Sequence, residues 1–163
     1  MDTFSSFMKL LAIIPARGGS KGIKNKNIQI VNRQPLIVHT INFLKNSGFF
    51  DRIIVSTDDP KISKIAQSKK ISVPFIRPKK LSGDTTNTLD VVKHALSFLK
   101  NKENFEPDIV MVFQPTSPIR SNQIITKALK LLSTNNSTSV ITVSKMKSHP
   151  NSSFLLKNKK LLP

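Results

Sequence analysis

The run Arg17-Gly18-Gly19-Ser20-Lys21-Gly22 brings side-chain cations together with backbone that carries little Cβ bulk. Gly18, Gly19 and Gly22 let consecutive N–H groups approach an anion closely, and Arg17, Lys21, Lys24 and Lys26 surround that path with positive charge. A triphosphate asks for this combination, because its oxygens accept many hydrogen bonds and its charge must be neutralised before a nucleophile can approach. On glycines and charge alone, a solvated turn fits the run as well. The spacing matches neither Gly-x-x-x-x-Gly-Lys-Ser/Thr nor Gly-x-Gly-x-x-Gly, which argues against a P-loop NTPase and a standard dinucleotide site.

Other residues with chemical capacity are scattered. Asp58 follows an apolar run, where an acid could read a ribose hydroxyl or bind a metal. Asp58 and Asp59 also stand just before a helical pattern, and capping is the commonest reason for Asp there, so capping is the reading adopted. His39 and His94 lie in helical segments with no His, Cys or carboxylate partner at metal spacing, and read as ordinary helix residues. Arg77-Pro78 is compatible with a plain loop arginine, and Gln114 with a strand-end residue bonded to the next loop. Without cysteine there is no thiolate nucleophile, thiolate metal site or disulfide framework, and a cytoplasmic location is the simplest reading.

The elements that would position these residues alternate along the chain. Leu10–Ile14 is continuously apolar and stops at Pro15, as a strand buried on both faces does. A polar, glycine-rich loop over 16–27 leads to an amphipathic helix over 35–47 with Gly48 as its stop. Arg52–Ser56 is a second strand; Asp59-Pro60 then supplies an N-cap and first-position proline for a helix over 61–69. Val73–Ile76 reads as a third strand, followed by a helix from about Thr86 to Lys100. Ile109–Phe113 is the strongest strand pattern, Ser121 caps the next helix, and Ser139–Val143 reads as a fifth strand. This order predicts one α/β domain over residues 1–163, three-layered and Rossmann-like, with a mostly parallel sheet. Ligands bind beyond the carboxyl ends of such strands, where the glycine run and Gln114 both fall. Residues 1–8 read as flexible and 151–163 as a loosely held basic tail.

With 163 residues and 38% hydrophobic content, the chain can bury a real core. Its formal charge of +17 raises nucleic-acid binding as a competing function. The lysines are spread at helix-face spacings rather than clustered, and Trp and Tyr are absent, so stacking platforms would rest on Phe alone. A basic nucleic-acid-binding protein is therefore the lesser alternative. No apolar run is long enough to suggest a membrane span or a signal sequence.

The string Ile13-Ile14-Pro15-Ala16-Arg17-Gly18-Gly19-Ser20-Lys21-Gly22-Ile23-Lys24-Asn25-Lys26-Asn27 resembles the signature of the acylneuraminate cytidylyltransferases, which make CMP-sialic, CMP-legionaminic and CMP-pseudaminic acids. The resemblance continues through Ile54–Asp58, Arg77-Pro78, Leu81–Thr85 and Gln114-Pro115-Thr116-Ser117-Pro118-Ile119-Arg120. It implies a nucleotidyltransferase fold and transfer of CMP from CTP to the anomeric hydroxyl of an acidic nine-carbon sugar, releasing pyrophosphate. Arg17 and Lys26 would be the catalytic charge stabilisers. Gly18, Gly19, Ser20, Lys21 and Asn27 would join them around the nucleotide, with Arg77 and Thr88 toward the cytidine. Gln114, Thr116, Ser117 and His149 would line the sugar side. The resemblance also implies Mg²⁺ and a homodimer.

Members of that family continue past the point where this sequence stops, and the further part carries a paired-aspartate metal motif, sugar-carboxylate contacts and a dimerisation segment. No Asp or Glu occurs after Lys145 here. The expectation is thus a C-terminally incomplete domain whose metal ligands are unknown, either part of a longer enzyme or a noncatalytic nucleotide-binding remnant. CMP-Kdo synthetase is the nearest rival. Its acidic Gln-Gly-Asp-Glu-Pro string at the Gln114 position differs from the string found here, which favours a nonulosonic acid as acceptor.

Overall fold

The computed structural model describes residues 8–20, 22–134, 137–143, 155–157 and 160–162; Lys21 and His149 lie outside these ranges. The chain divides into two compact units, Met1–Arg120 and Ser121–Pro163.

In the first unit, strand β1 (Leu10–Pro15) is the centre of a three-stranded parallel sheet, with β4 (Arg52–Ser56) on one side and β5 (Ile109–Val112) on the other. Ile13 aligns with Ile54 and with Val112. Leu11, Ala12, Ile13 and Ile14 are wholly buried, which accounts for the unbroken apolar run: a central strand has no solvent face to make polar. Leu11 and Ile13 join Ile54, Ala95 and Leu99 in one core cluster, seating helix α3 (Thr88–Glu103) against the sheet. Pleating turns Ala12 and Ile14 to the opposite face.

Helix α1 (Leu36–Ser47) buries Ile37, Val38, Thr40, Ile41 and Leu44 and ends where Gly48 takes φ 70°, a left-handed conformation that favours glycine. Helix α2 (Pro60–Ser68) starts at the proline, with the Asp59 carboxylate accepting from the Lys61 amide at 2.7 Å. Helix α3 starts two residues later than the periodicity suggests, because Asn87 supplies its cap, accepting from the Leu89 amide at 2.9 Å.

Two features of this unit depart from the sequence reading. The loop expected over 16–27 leads into a 3₁₀ turn at Lys26–Ile28 and a small hairpin of β2 (Ile30–Val31) and β3 (Gln34–Pro35), turned by Asn32 and Arg33 at positive φ. Val73–Ile76 is not a strand. Its one bridge is Ile76 beside Thr57, and the residue before it, Ser72, makes another beside Ile54. Pro74 lacks the amide hydrogen that a continuous ladder would use.

In the second unit, helix α4 covers Asn122–Thr134, as expected, and the Ile124 amide donates to the Ser121 carbonyl at 3.1 Å. Ser139–Val143, expected as a strand, has no strand conformation; Ile141 is 80% and Val143 85% exposed. β-branched composition favours a pleated surface but supplies no neighbouring strand. In the segment read as a tail, β6 (Leu155–Lys157) pairs antiparallel with β7 (Lys160–Leu162). No described helix is long and apolar enough to cross a membrane.

Candidate functional site

The chain leaves β1, β4 and β5 at the same end of the sheet. The pairing continues past the strands themselves: the Ala16 amide donates to the Ser56 carbonyl at 3.0 Å, and the Phe113 amide to the Ile13 carbonyl at 2.9 Å. The loops after β1 and β5, together with the segment from Arg77 to the start of α3, line an open cleft of about 190 Å³.

Of the residues singled out by sequence, Arg17, Ser20, Lys26, Asn27, Arg77, Thr88, Gln114 and Thr116 all line this cleft. Gly18, Gly19 and Ser117 flank it without lining it. Lys21 and His149 are outside the described residues. Sequence reasoning did not single out Leu81, Asp84, Thr86 and Val91, which also contribute. Asp84 had a signal in the Leu81–Thr85 motif, but nothing in sequence placed it opposite the glycine run.

Local structure explains how each side chain is held. The Asn27 side-chain amide, nearly buried, donates to the Arg17 carbonyl at 2.9 Å and fixes the far end of the loop to its start. The Arg17 guanidinium is ion-paired with Asp84 across the cleft mouth. The Ser20 amide bonds back to the Gly18 carbonyl at 3.0 Å, and the Gly18 amide donates to Asp58 Oδ1 at 3.1 Å. These two amides are therefore engaged within the protein, and among the described residues the cations lining the cleft are Arg17, Lys26 and Arg77.

Gly18 is required for a reason other than ligand approach. A Cβ there would stand 2.5 Å from Asp59 Oδ2 and 2.9 Å from Asp59 Cβ, so the loop can sit against the start of α2 only without a side chain. Gly19 has open space at that position.

Arg77 is only 4% exposed. Its amide donates to the Thr57 carbonyl at 2.7 Å, the last tie between the 73–76 segment and the sheet, and its Nε donates to Ser82 Oγ at 3.3 Å. Burial pulls the Arg77 pKa below the usual guanidinium range, and the negative charge of Asp58, 3.7 Å away, works against that shift. Capping, the reading adopted for Asp58, belongs to Asp59 alone. The proline after Asp59 marks that residue as the cap in sequence, but only the chain path turns Asp58 toward Arg77.

The Gln114 side has its own support. Arg120 donates through Nη1 to the buried Thr40 hydroxyl at 2.9 Å and through Nη2 to the Gln114 carbonyl, with its guanidinium 5.5 Å from the centre of the Phe113 ring. Burial lowers its pKa too. The histidines behave as helix residues. His39 accepts from Gln34 and donates to the Val31 carbonyl at 2.7 Å, tying the hairpin to α1, while His94 packs edge-on against Phe75.

Among the described residues no three His, Cys, Asp or Glu side chains gather in a way that could hold a metal ion. With Arg17, Lys26 and Arg77 on its lining, the cleft has the charge to hold a polyanion.

A family model described as cytidylyltransferase matches residues 11–160. The N-acylneuraminate cytidylyltransferase of Escherichia coli is 39% identical over 126 residues, covering 77% of this chain and 29% of that protein. The pseudaminic acid cytidylyltransferase of Campylobacter jejuni is 39% identical over 121 residues, with coverage of 74% and 52%. The CMP-N,N'-diacetyllegionaminic acid synthase of Legionella pneumophila is 37% identical over 124 residues, with coverage of 76% and 53%. The chain thus spans about a third to a half of the length of these relatives. Among solved structures, CMP:2-keto-3-deoxy-manno-octonic acid synthetase complexed with CTP is similar at TM-score 0.65 and 20% identity, covering 79% of this chain and 49% of that one. A 4-diphosphocytidyl-2C-methyl-D-erythritol synthase follows at TM-score 0.59 and 13% identity, covering 80% and 56%; at such identities the likeness is one of fold. The family match over almost the whole chain agrees with the parallel sheet and the converging loops, and the chain belongs to the cytidylyltransferase family.

Proposed function

We propose that this chain binds CTP in the cleft between the β1 loop, the 77–88 segment and the β5 loop, as part of an enzyme that transfers CMP to a sialic-acid-like nonulosonic acid. The observation that carries this reading is the gathering of Arg17, Ser20, Lys26, Asn27, Arg77, Thr88 and Gln114, distant in sequence, around one cleft. Arg17 and Lys26 would stand along the triphosphate with Ser20, and Arg77 and Thr88 beside the cytidine. Gln114 and Thr116 would face the acceptor, joined by Ser117 and His149 on the sugar side.

In the reaction so proposed, the anomeric hydroxyl attacks the α-phosphorus of CTP. A phosphorus–oxygen bond to the sugar forms, and the bond to pyrophosphate breaks. In-line positioning and charge stabilisation supply the catalysis, and the side chains suited to them are the Arg17 guanidinium and the Lys26 ammonium. Arg17 must exchange its Asp84 partner for phosphate oxygens as the nucleotide enters. Magnesium, when bound with CTP, would supply further charge neutralisation; among the described residues no three His, Cys, Asp or Glu side chains gather to hold it. A cytoplasmic setting goes with this reading, in keeping with a cysteine-free sequence.

The test of the acceptor class is pyrophosphate release by the full gene product with CTP, magnesium and either N-acetylneuraminate or Kdo. Release with the nonulosonic acid and little with Kdo is the expected result. Preference for Kdo would overturn the acceptor assignment.

A further inference from the structure

The Asp58 carboxylate does not line the cleft but contacts Arg77, which does, and Gly18, next to Arg17 of the lining. Its Oδ1 accepts the Gly18 amide hydrogen at 3.1 Å and lies 3.7 Å from Nη2 of Arg77. The cap of α2 is supplied by Asp59, which leaves Asp58 unneeded for that role. Arg77, 4% exposed, is a buried cation that requires a counter-charge, and its remaining side-chain bond is the 3.3 Å contact to Ser82. Asp58 also lies at the end of β4, in the same loop as Thr57, whose carbonyl holds the Arg77 amide. One acid therefore touches both the glycine loop on the phosphate side and the arginine on the nucleoside side.

From this juxtaposition we propose that Asp58 is a positioning residue for nucleotide binding, neutralising and aiming Arg77 while clamping the glycine loop through Gly18. The assignment rests on the CTP reading given above. It makes Asp58 a requirement for the nucleoside part of the ligand more than for the phosphates, because its partner Arg77 faces the nucleoside side. Loss of the Asp58 charge leaves Arg77 cationic but unpaired, which favours rather than opposes a bare polyphosphate.

Calorimetric titration of the chain with CTP and, separately, with tripolyphosphate tests this. Asp58→Asn keeps an oxygen for the Gly18 amide and removes only the charge. CTP affinity should fall about tenfold, the scale of one lost charge-assisted contact, while tripolyphosphate affinity stays the same or rises. Equal losses for both ligands would mean a merely structural role and overturn the proposal, as would no loss of CTP affinity. A second comparison sets Arg77→Gln against Asp58→Asn/Arg77→Gln. Neither variant carries an unpaired buried cation, so this arm stands even where Asp58→Asn alone does not fold. Equal CTP affinity in the two is expected, since Asp58 acts through Arg77; a further tenfold drop in the double variant would overturn the assignment. Wild-type chain that binds no CTP would remove the nucleotide reading itself, a result distinct from CTP binding that ignores Asp58.

Discussion

Arg17 illustrates how much a single position settles. It follows a buried strand, its carbonyl is held by Asn27, and its guanidinium reaches across the cleft to Asp84 at a partly exposed site. An ion pair so exposed adds little to stability, whereas charge-assisted bonds to phosphate are strong. Arg17→Ala should therefore weaken CTP binding roughly tenfold or more while leaving the melting temperature nearly unchanged, as calorimetry and thermal unfolding would show. Equal CTP affinity would remove Arg17 from the site. The candidacy of Arg17, Lys26 and Arg77 was legible in the sequence because residue type and motif order carried it. The reason for Gly18 was not, because the clash it avoids is with Asp59 on another loop. Sequence marked Asp59 as the cap through Pro60, but could not show that Asp58 turns to Arg77.

At the scale of elements, the apolar runs of β1, β4 and β5 and the periodicity of α1 to α4 were readable; burial accounts for the run of β1, whereas β5 keeps an apolar run while only half-buried, with Val112 exposed. Val73–Ile76 misled because four apolar or β-branched residues resemble a strand until the missing amide of Pro74 is counted. The β2–β3 hairpin was missed because two-residue strands have no periodicity to read. The cap of α2 gives a clean test: Asp59→Ala removes the acceptor of the Lys61 amide and should cost about 1 kcal/mol of unfolding free energy in urea titration. Helix α3 carries a pH dependence. Burial, then the nearby Arg77 and Lys80 charges, hold the His94 pKa below its ordinary 6.5. The unfolded chain therefore takes up that proton first as pH falls. Stability should be unaffected by His94 at neutral pH and decline as the pH drops below about 6.5, and His94→Gln should flatten that part of the profile in pH-dependent melting.

For the whole molecule, the α/β class and parallel sheet follow from the alternation of strands and helices, and the family from motifs that the fold brings to one end of the sheet. Of the cations behind the net charge of +17, Arg17, Lys26 and Arg77 face one cleft. The identity of the acceptor is less legible, because sugar-side candidates such as His149 fall outside the described residues and the chain spans only part of its relatives' length. The nucleotide half of the account stands on Arg17, Ser20, Lys26, Asn27, Arg77 and Thr88, which line one cleft. The most direct test is calorimetric titration of the chain with CTP, with UTP and GTP in parallel. Saturable binding of one CTP per chain, tighter than either other nucleotide and abolished in Arg17→Ala/Lys26→Ala, is the predicted result; no CTP binding, or binding indifferent to both substitutions, would contradict the account.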